Sequence, residues 1–184
     1  IKESFPDYFF AFGRHFTSLA QFPIPDDHVY SVGYPYLEMG LEDATGVHRS
    51  TPRKDDGTAV LFLSQGTIGS RLSRVATELD NRVKDQVIYK LHPGECDDWE
   101  TRYPHLVDSD IIVVDGDTPS LYELFERCTA QVGVYSTALY EGVAFGLQTF
   151  LLRTDRIEFV QELVDKGWAT VVDSAADINR SISS

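Results

Sequence analysis

From Thr58 onward the chain alternates between two hydrophobic periods. Short runs rich in β-branched and aromatic residues, "TAVLFLS", "QVIYKL", "DIIVV", "QVGVYS", "QTFLLR" and "ATVVD", are separated by amphipathic stretches of helical length. The runs predict six strands. The first, third and fourth are nearly continuous in apolar residues, the pattern of strands covered on both faces. Between them, "IGSRLSRVATELDNRV", "CDDWETRYPHL" with a late break at Pro104, "PSLYELFERC", "ALYEGVAFG", "RIEFVQELVDKG" and "AADINRS" predict helices. In the first of these, Leu72, Val75, Ala76 and Leu79 recur at spacings of three and four, which makes one apolar stripe for packing on a sheet. Strand and helix in strict alternation predict an α/β fold: a doubly wound, Rossmann-like parallel six-stranded sheet with helices on both faces.

Turn chemistry sharpens some boundaries. Thr118 followed by Pro119 reads as a hydroxyl N-cap ahead of a first-turn proline, with Glu123 placed for reciprocal capping. Gly146 and Gly167 fall where helices need a residue of positive φ at their C-termini. Residues 1–57 differ in character. "YFFAFGRHF" fits a strand or a loop, "FPIPDDHVYSVGYPYLE" is crowded with proline and aromatics, and "DATGVHRSTPRKDDG" reads as a polar linker. Two domains are therefore expected, a tail of a preceding domain with its linker over 1–57 and a Rossmann-like domain over 58–184. A chain that opens on Ile1 and stops in "INRSISS" is read as a piece of a longer protein.

Composition narrows the function. With 184 residues, 42% hydrophobic content and a formal charge of −13, the chain suits a globular domain. Nucleic acid is not an expected partner, because phosphate neutralisation needs Lys and Arg in excess. Five of 16 basic residues are Lys and the 29 acids are spread along the chain, a balance compatible with solubility in high salt. Cys96 and Cys128 lie too far apart for a zinc motif and suggest a reducing, cytoplasmic setting.

In a doubly wound sheet, ligands bind outside the carboxyl ends of the strands where the winding reverses. For a strand order 3-2-1-4-5-6 that point lies between "SQGTIGS" after the first strand and "YSTALYEG" after the fourth. Both loops carry hydroxyls and run straight into a helix, whose N-terminal N–H groups and dipole attract phosphate. Gly66 and Gly69 would allow close backbone approach. Ser136 and Thr137 either donate to a phosphate or simply cap their helix, and Glu141 is either a hydroxyl acceptor or a solvated acid. In "KLHPGE", His92 sits at a carboxyl end, either a structural histidine or one suited to a diphosphate contact or to proton transfer. Asp115 and Asp117 in "DGD" resemble a metal-binding pair of carboxylates, but acidic turns are common in a chain this acidic, and no metal is expected. Arg14 and His15 read as a surface pair. Neither G-x-G-x-x-G nor a P-loop is present, and there is no G-x-S-x-G elbow.

Taken together, "VLFLSQGTIGSRL", "VIYKLHPGE", "DTPSLYELFERC" and "VGVYSTALYEGVAFGLQTFLL" resemble the C-terminal half of GT-B-fold glycosyltransferases. They are similar in flavour to capsule polysaccharide and CDP-glycerol glycerophosphotransferase-like proteins of teichoic acid synthesis. The resemblance covers roughly Thr58 to Val172, and "DYFFAFGRHF" and "VYSVGYPYLE" resemble the tail of the N-terminal GT-B domain. It implies a nucleotide-diphosphate donor, a glycan or polyol acceptor, no cofactor, and an acceptor site with its catalytic base mostly in a missing N-terminal domain. It also implies a cytoplasmic protein, with peripheral association of the full-length chain at the inner membrane face. By position, Ser64, Gln65, Gly66 and Thr67 would line the first loop, and His92 would meet the donor phosphates as the candidate catalytic residue. Thr118, Pro119 and Ser120 would lie near base or ribose, Ser136 and Thr137 would hold the diphosphate, and Glu141 would take ribose or sugar hydroxyls. One departure is Tyr135, where the glycerophosphotransferase branch typically carries Asp before paired serines; a sugar nucleotide is at least as well suited. A sugar-nucleotide epimerase of the same fold, or a non-catalytic nucleotide-binding module, are the competing readings.

Overall fold

A computed structural model describes residues 5–14, 17, 21–46 and 59–183. His15 and the part of the expected linker over 47–57 lie outside the described residues. The chain divides into two units, Ile1–His48 and Arg49–Ser184.

In the first unit, strand β1 (Phe9–Ala11) pairs in parallel with β2 (Val29–Ser31), and helix α1 spans Pro35–Gly46. "YFFAFGRHF" thus contributes a strand. Asp43 to Gly46, expected in the linker, instead complete α1, because "LEMGLEDA" is built mostly of good helix formers.

The second unit carries the sheet. Its strands are β3 (Ala59–Leu63), β4 (Gln86–Lys90), β5 (Ile112–Val114), β6 (Ala130–Gly133), β7 (Gln148–Leu152) and β8 (Ala169–Val172). They lie in the order β5-β4-β3-β6-β7-β8 and every pairing is parallel. The chain therefore starts in the middle, winds to one edge, returns past its start and winds to the other. This is the 3-2-1-4-5-6 order, with the reversal between β3 and β6.

The connecting helices are α2 (Gly69–Asp80), α3 (Trp99–Arg102), α4 (Pro104–Val107), α5 (Leu121–Arg127), α6 (Ala138–Ala144), α7 (Gln161–Asp165) and α8 (Ala175–Ile182). Strand side chains alternate between two cores. Val60, Phe62, Val132 and Phe150 meet Leu72, Val75, Ala76 and Leu79 of α2 and Ile178 of α8 on one face. Leu61, Leu63 and Leu151 meet Leu124, Leu139 and Leu163 of α5, α6 and α7 on the other. Full burial of each such Val, Leu, Ile or Phe side chain contributes about 1.5–3 kcal/mol.

Several local details differ from expectation. Ile112 is 48% exposed although its run is continuously apolar, because β5 is an edge strand. The N-cap of α5 is Ser120 rather than Thr118: its Oγ accepts from the Glu123 N–H at 3.3 Å and Glu123 Oε2 accepts from the Ser120 N–H at 2.7 Å. That capping box needs the hydroxyl three residues before the acid, a spacing Thr118 does not have. "RIEFVQELVDKG" splits into a 3₁₀ turn, Ile157–Val160, and α7. Gly146 and Gly167 do take positive φ, 85° and 69°.

Candidate functional site

β3 and β6 run side by side, with Phe62 opposite Val132, so the loops that follow them leave the same edge of the sheet as neighbours. A hydrogen bond between the Thr67 and Tyr135 hydroxyls ties the two loops together across the reversal. β4 flanks β3 on its other side and delivers His92 to that edge. Ser64 to Thr67, His92, Ser136 and Thr137 are thus gathered at one end of three adjacent strands. Thr118, Pro119 and Ser120 follow β5, two strands from the reversal, and the structure does not bring them into that group. The Lys90 ammonium donates to the Gly116 carbonyl and ties the β5 loop to the end of β4.

Within the first loop, Ser64 is buried and its hydroxyl meets the Tyr89 hydroxyl at 3.0 Å, so its polar atom faces the interior. Gln65 is half-buried, and Gly66 and Thr67 are exposed. Gly69 is crowded by protein: a Cβ there would overlap the Tyr103 hydroxyl and lie 2.6 Å from Glu95 Oε1. The close approach that requires glycine is therefore to a side-chain network. Glu95, 1% exposed, accepts from the Tyr103 hydroxyl through Oε1 and from the His92 backbone N–H at 3.0 Å through Oε2. Burial, followed by the Glu95 carboxylate, pushes the Tyr103 phenol up. The carboxylate lies against the first turn of α2, where the helix dipole favours it.

This network presents His92. Its Nδ1 accepts from the Gly94 N–H at 3.2 Å, so in neutral imidazole the proton sits on Nε2. The exposed ring thus offers a donor at Nε2 next to the first loop.

In the second loop the two hydroxyls play different parts. Ser136 Oγ accepts from the Ala138 N–H at 3.3 Å, which leaves its own proton free to point outward. Thr137 is exposed, with helical φ of −61°, and caps nothing. Plain capping therefore accounts for Ser136 in part and for Thr137 not at all.

Glu141, on the buried side of α6, is 7% exposed, which excludes the solvated reading. Burial pushes its carboxyl above the usual carboxylate range, opposed by a hydrogen bond from the Tyr122 hydroxyl. Close beside it α6 is held tightly to the sheet. Gln131 Nε2 donates to the Leu139 carbonyl at 2.8 Å and to Thr149 Oγ1 at 2.9 Å, and a Cβ at Gly142 would overlap the Gln131 amide.

Tyr135, noted only as a departure from the family pattern, and Arg156, given no role from the sequence, both contribute to the crevice. Tyr135 bridges to Thr67, and the Arg156 guanidinium lies 5.8 Å from the centre of its ring. The apolar run ending on a tyrosine was visible, but nothing in the spacing connects it with residues 68 positions before or 21 after. Beside the crevice, Thr67, Ser70, Arg71, Arg74, Asp173 and Ser174 help to line an open groove of about 510 Å³.

No protein-family model and no curated protein matches the chain. Solved structures do. The wall teichoic acid polymerase TagF is similar over 97% of this chain and 48% of its own, at 11% identity and a TM-score of 0.66. Methanocaldococcus jannaschii UDP-GlcNAc 2-epimerase, in complex with UDP-GlcNAc and UDP, is similar over 96% of this chain and 53% of its own, at 16% identity and a TM-score of 0.67. The C-terminal CMP-Kdo binding domain of WaaA from Acinetobacter baumannii is similar over 78% of this chain and 89% of its own, at 14% identity and a TM-score of 0.53. The chain spans about half the length of the first two. At these identities the likeness shows the fold: a Rossmann-like half of the GT-B architecture. No helix among the described residues is long and apolar enough to cross a membrane.

Proposed function

We propose that the chain is the donor-binding half of a GT-B transferase, which holds a nucleotide-diphosphate donor and passes its sugar or glycerophosphate group to a hydroxyl of a glycan or polyol acceptor. The observation that carries this reading is the gathering of His92, Ser136 and Thr137 at the winding reversal, each with a hydrogen-bond donor unspent by the protein. The Ser136 and Thr137 hydroxyls and the His92 Nε2–H would stabilise the charge that develops on the departing diphosphate, at a site where the donors are already oriented. The buried Glu141 carboxyl would accept from a pair of ribose hydroxyls, and it is expected to bind them best when ionised. The fold neighbours suit this reading: one TagF structure was soaked with CDPG, and a Staphylococcus aureus MnaA structure contains UDP. The acceptor and the base that activates it are assigned to a partner domain outside this chain. Association of the full protein with the inner membrane face belongs to the same proposal.

The test is calorimetric titration of the protein with CDP, UDP and GDP. Binding of one or more nucleoside diphosphates is expected, and absence of binding to all three would return the chain to a non-catalytic role. The epimerase-like fold supports a second reading, in which His92 manages proton transfer at a sugar carbon. Exchange of a substrate C–H with deuterated solvent would favour it over group transfer.

A further inference from the structure

A diphosphate needs a counter-charge, and the crevice lies in a chain with 16 basic and 29 acidic residues. Four cations stand at the end of β4, in the first turn of α2 or in the loop after β7, and three of them have polar partners within the protein. Lys90 donates to the Gly116 carbonyl. Arg71 Nη1 donates to the Arg153 carbonyl at 2.7 Å, and Arg153 Nε pairs with Asp173 Oδ1 at 2.8 Å. Arg156 is the exception: among the described residues its side chain forms neither a hydrogen bond nor an ion pair, and its contact is the face of Tyr135.

The seat is itself well fixed. Tyr135 directly precedes Ser136, its hydroxyl is held by Thr67 of the opposite loop, and Phe159 packs edge-on against its ring with centroids 6.5 Å apart. A guanidinium resting on an aromatic face keeps all five N–H donors in the ring plane of its own fork, free for bidentate contact with phosphate oxygens. We infer that Arg156 is the diphosphate-binding cation of the donor site and that Tyr135 is its positioning residue. The tyrosine two residues beyond β6 thereby acquires a reason: it seats the Arg156 charge beside the loop that lacks one. This inference rests on the donor reading above and adds the group that would make the site selective for a diphosphate over an uncharged nucleoside.

The experiment compares affinities of CDP, UDP, inorganic pyrophosphate and the parent nucleosides by calorimetry at several salt concentrations. Arg156→Gln should weaken diphosphate and pyrophosphate about tenfold or more, the loss expected for a charge-assisted contact. It should leave nucleoside affinity unchanged and make diphosphate binding less sensitive to salt. Tyr135→Phe keeps the ring and should retain the parental ratio of diphosphate to nucleoside affinity, whereas Tyr135→Leu should lose it as Arg156→Gln does. An unchanged ratio in Arg156→Gln, with nucleotide still bound, overturns this inference alone. Failure of the parent protein to bind any of the nucleotides overturns the donor reading and this inference with it.

Discussion

Replacing Gly69 with alanine tests whether the network under the first loop is as tight as the geometry requires. In an exposed first turn this change would stabilise the helix by up to about 1 kcal/mol, since alanine is the better helix former. Here the added Cβ would overlap the Tyr103 hydroxyl and lie 2.6 Å from Glu95 Oε1. Forcing a methyl group into a packed interior costs about 1–3 kcal/mol. Moving the Tyr103 hydroxyl away removes a donor from a buried carboxylate, worth about 1.5–3 kcal/mol. The opposing terms leave a net destabilisation of about 1.5–5 kcal/mol, which for a chain of this length lowers the melting temperature by roughly 3–20 °C. Urea denaturation followed by circular dichroism measures it directly. Because Glu95 also holds the His92 backbone N–H, nucleotide affinity should fall in parallel. The double variant Gly69→Ala with Tyr103→Leu relieves the overlap with the Tyr103 ring, so its loss should be smaller than the sum of the single losses by more than about 1 kcal/mol. A Gly69→Ala protein as stable as its parent would refute the packing argument.

Other outcomes follow from the same geometry. Ser136→Ala with Thr137→Ala should weaken nucleoside diphosphate binding by about 1–3 kcal/mol in calorimetric titration, while unchanged affinity with lowered stability would return them to a capping role. Since the folded-state pKa of Glu141 lies above its unfolded value, the folded protein binds more protons through that interval and its contribution to stability falls as pH rises. Glu141→Gln should therefore flatten that part of the stability-versus-pH curve and raise stability at neutral pH, yet weaken nucleotide binding; urea midpoints across pH and titration together check this. Burial pushes the Cys128 thiol up to about 12, whereas Cys96 is half-buried, so a thiol reagent at neutral pH should modify Cys96 first and Cys128 only on unfolding. Quantifying released chromophore in native and denatured protein distinguishes the two.

Much of the framework was legible because it depends on local periodicity. The stripe of Leu72, Val75, Ala76 and Leu79 is buried as its spacing demands, and the six runs are strands because apolar β-branched residues between helices have few other places to go. The positions of the two switch loops followed, given the strand order. Caps were legible only to within two residues: Thr118 and Ser120 both precede a helical pattern, and only the second stands three residues from Glu123 with its hydroxyl in reach. Glu95 stands beside His92 in "KLHPGE" with nothing in the sequence to mark it as buried. Its burial depends on Tyr103, eight residues on and across a helix break, which no repeat period connects to it.

The sequence by itself determined the class of fold, the alternation that forces helices onto both faces, and the identity of the hydroxyls and imidazole available at strand ends. These are consequences of side-chain period and backbone chemistry, which act over a few residues. Tertiary structure alone decided which donors remain free. Gly69 turned out to make room for Tyr103, Ser64 to face Tyr89, Glu141 to be buried, and Arg156 to settle on Tyr135, whose hydroxyl meets Thr67 from 68 residues earlier in the chain. The reason is physical. A polar group is available to a ligand only when no other part of the protein satisfies it, and that accounting closes only when every strand has taken its place.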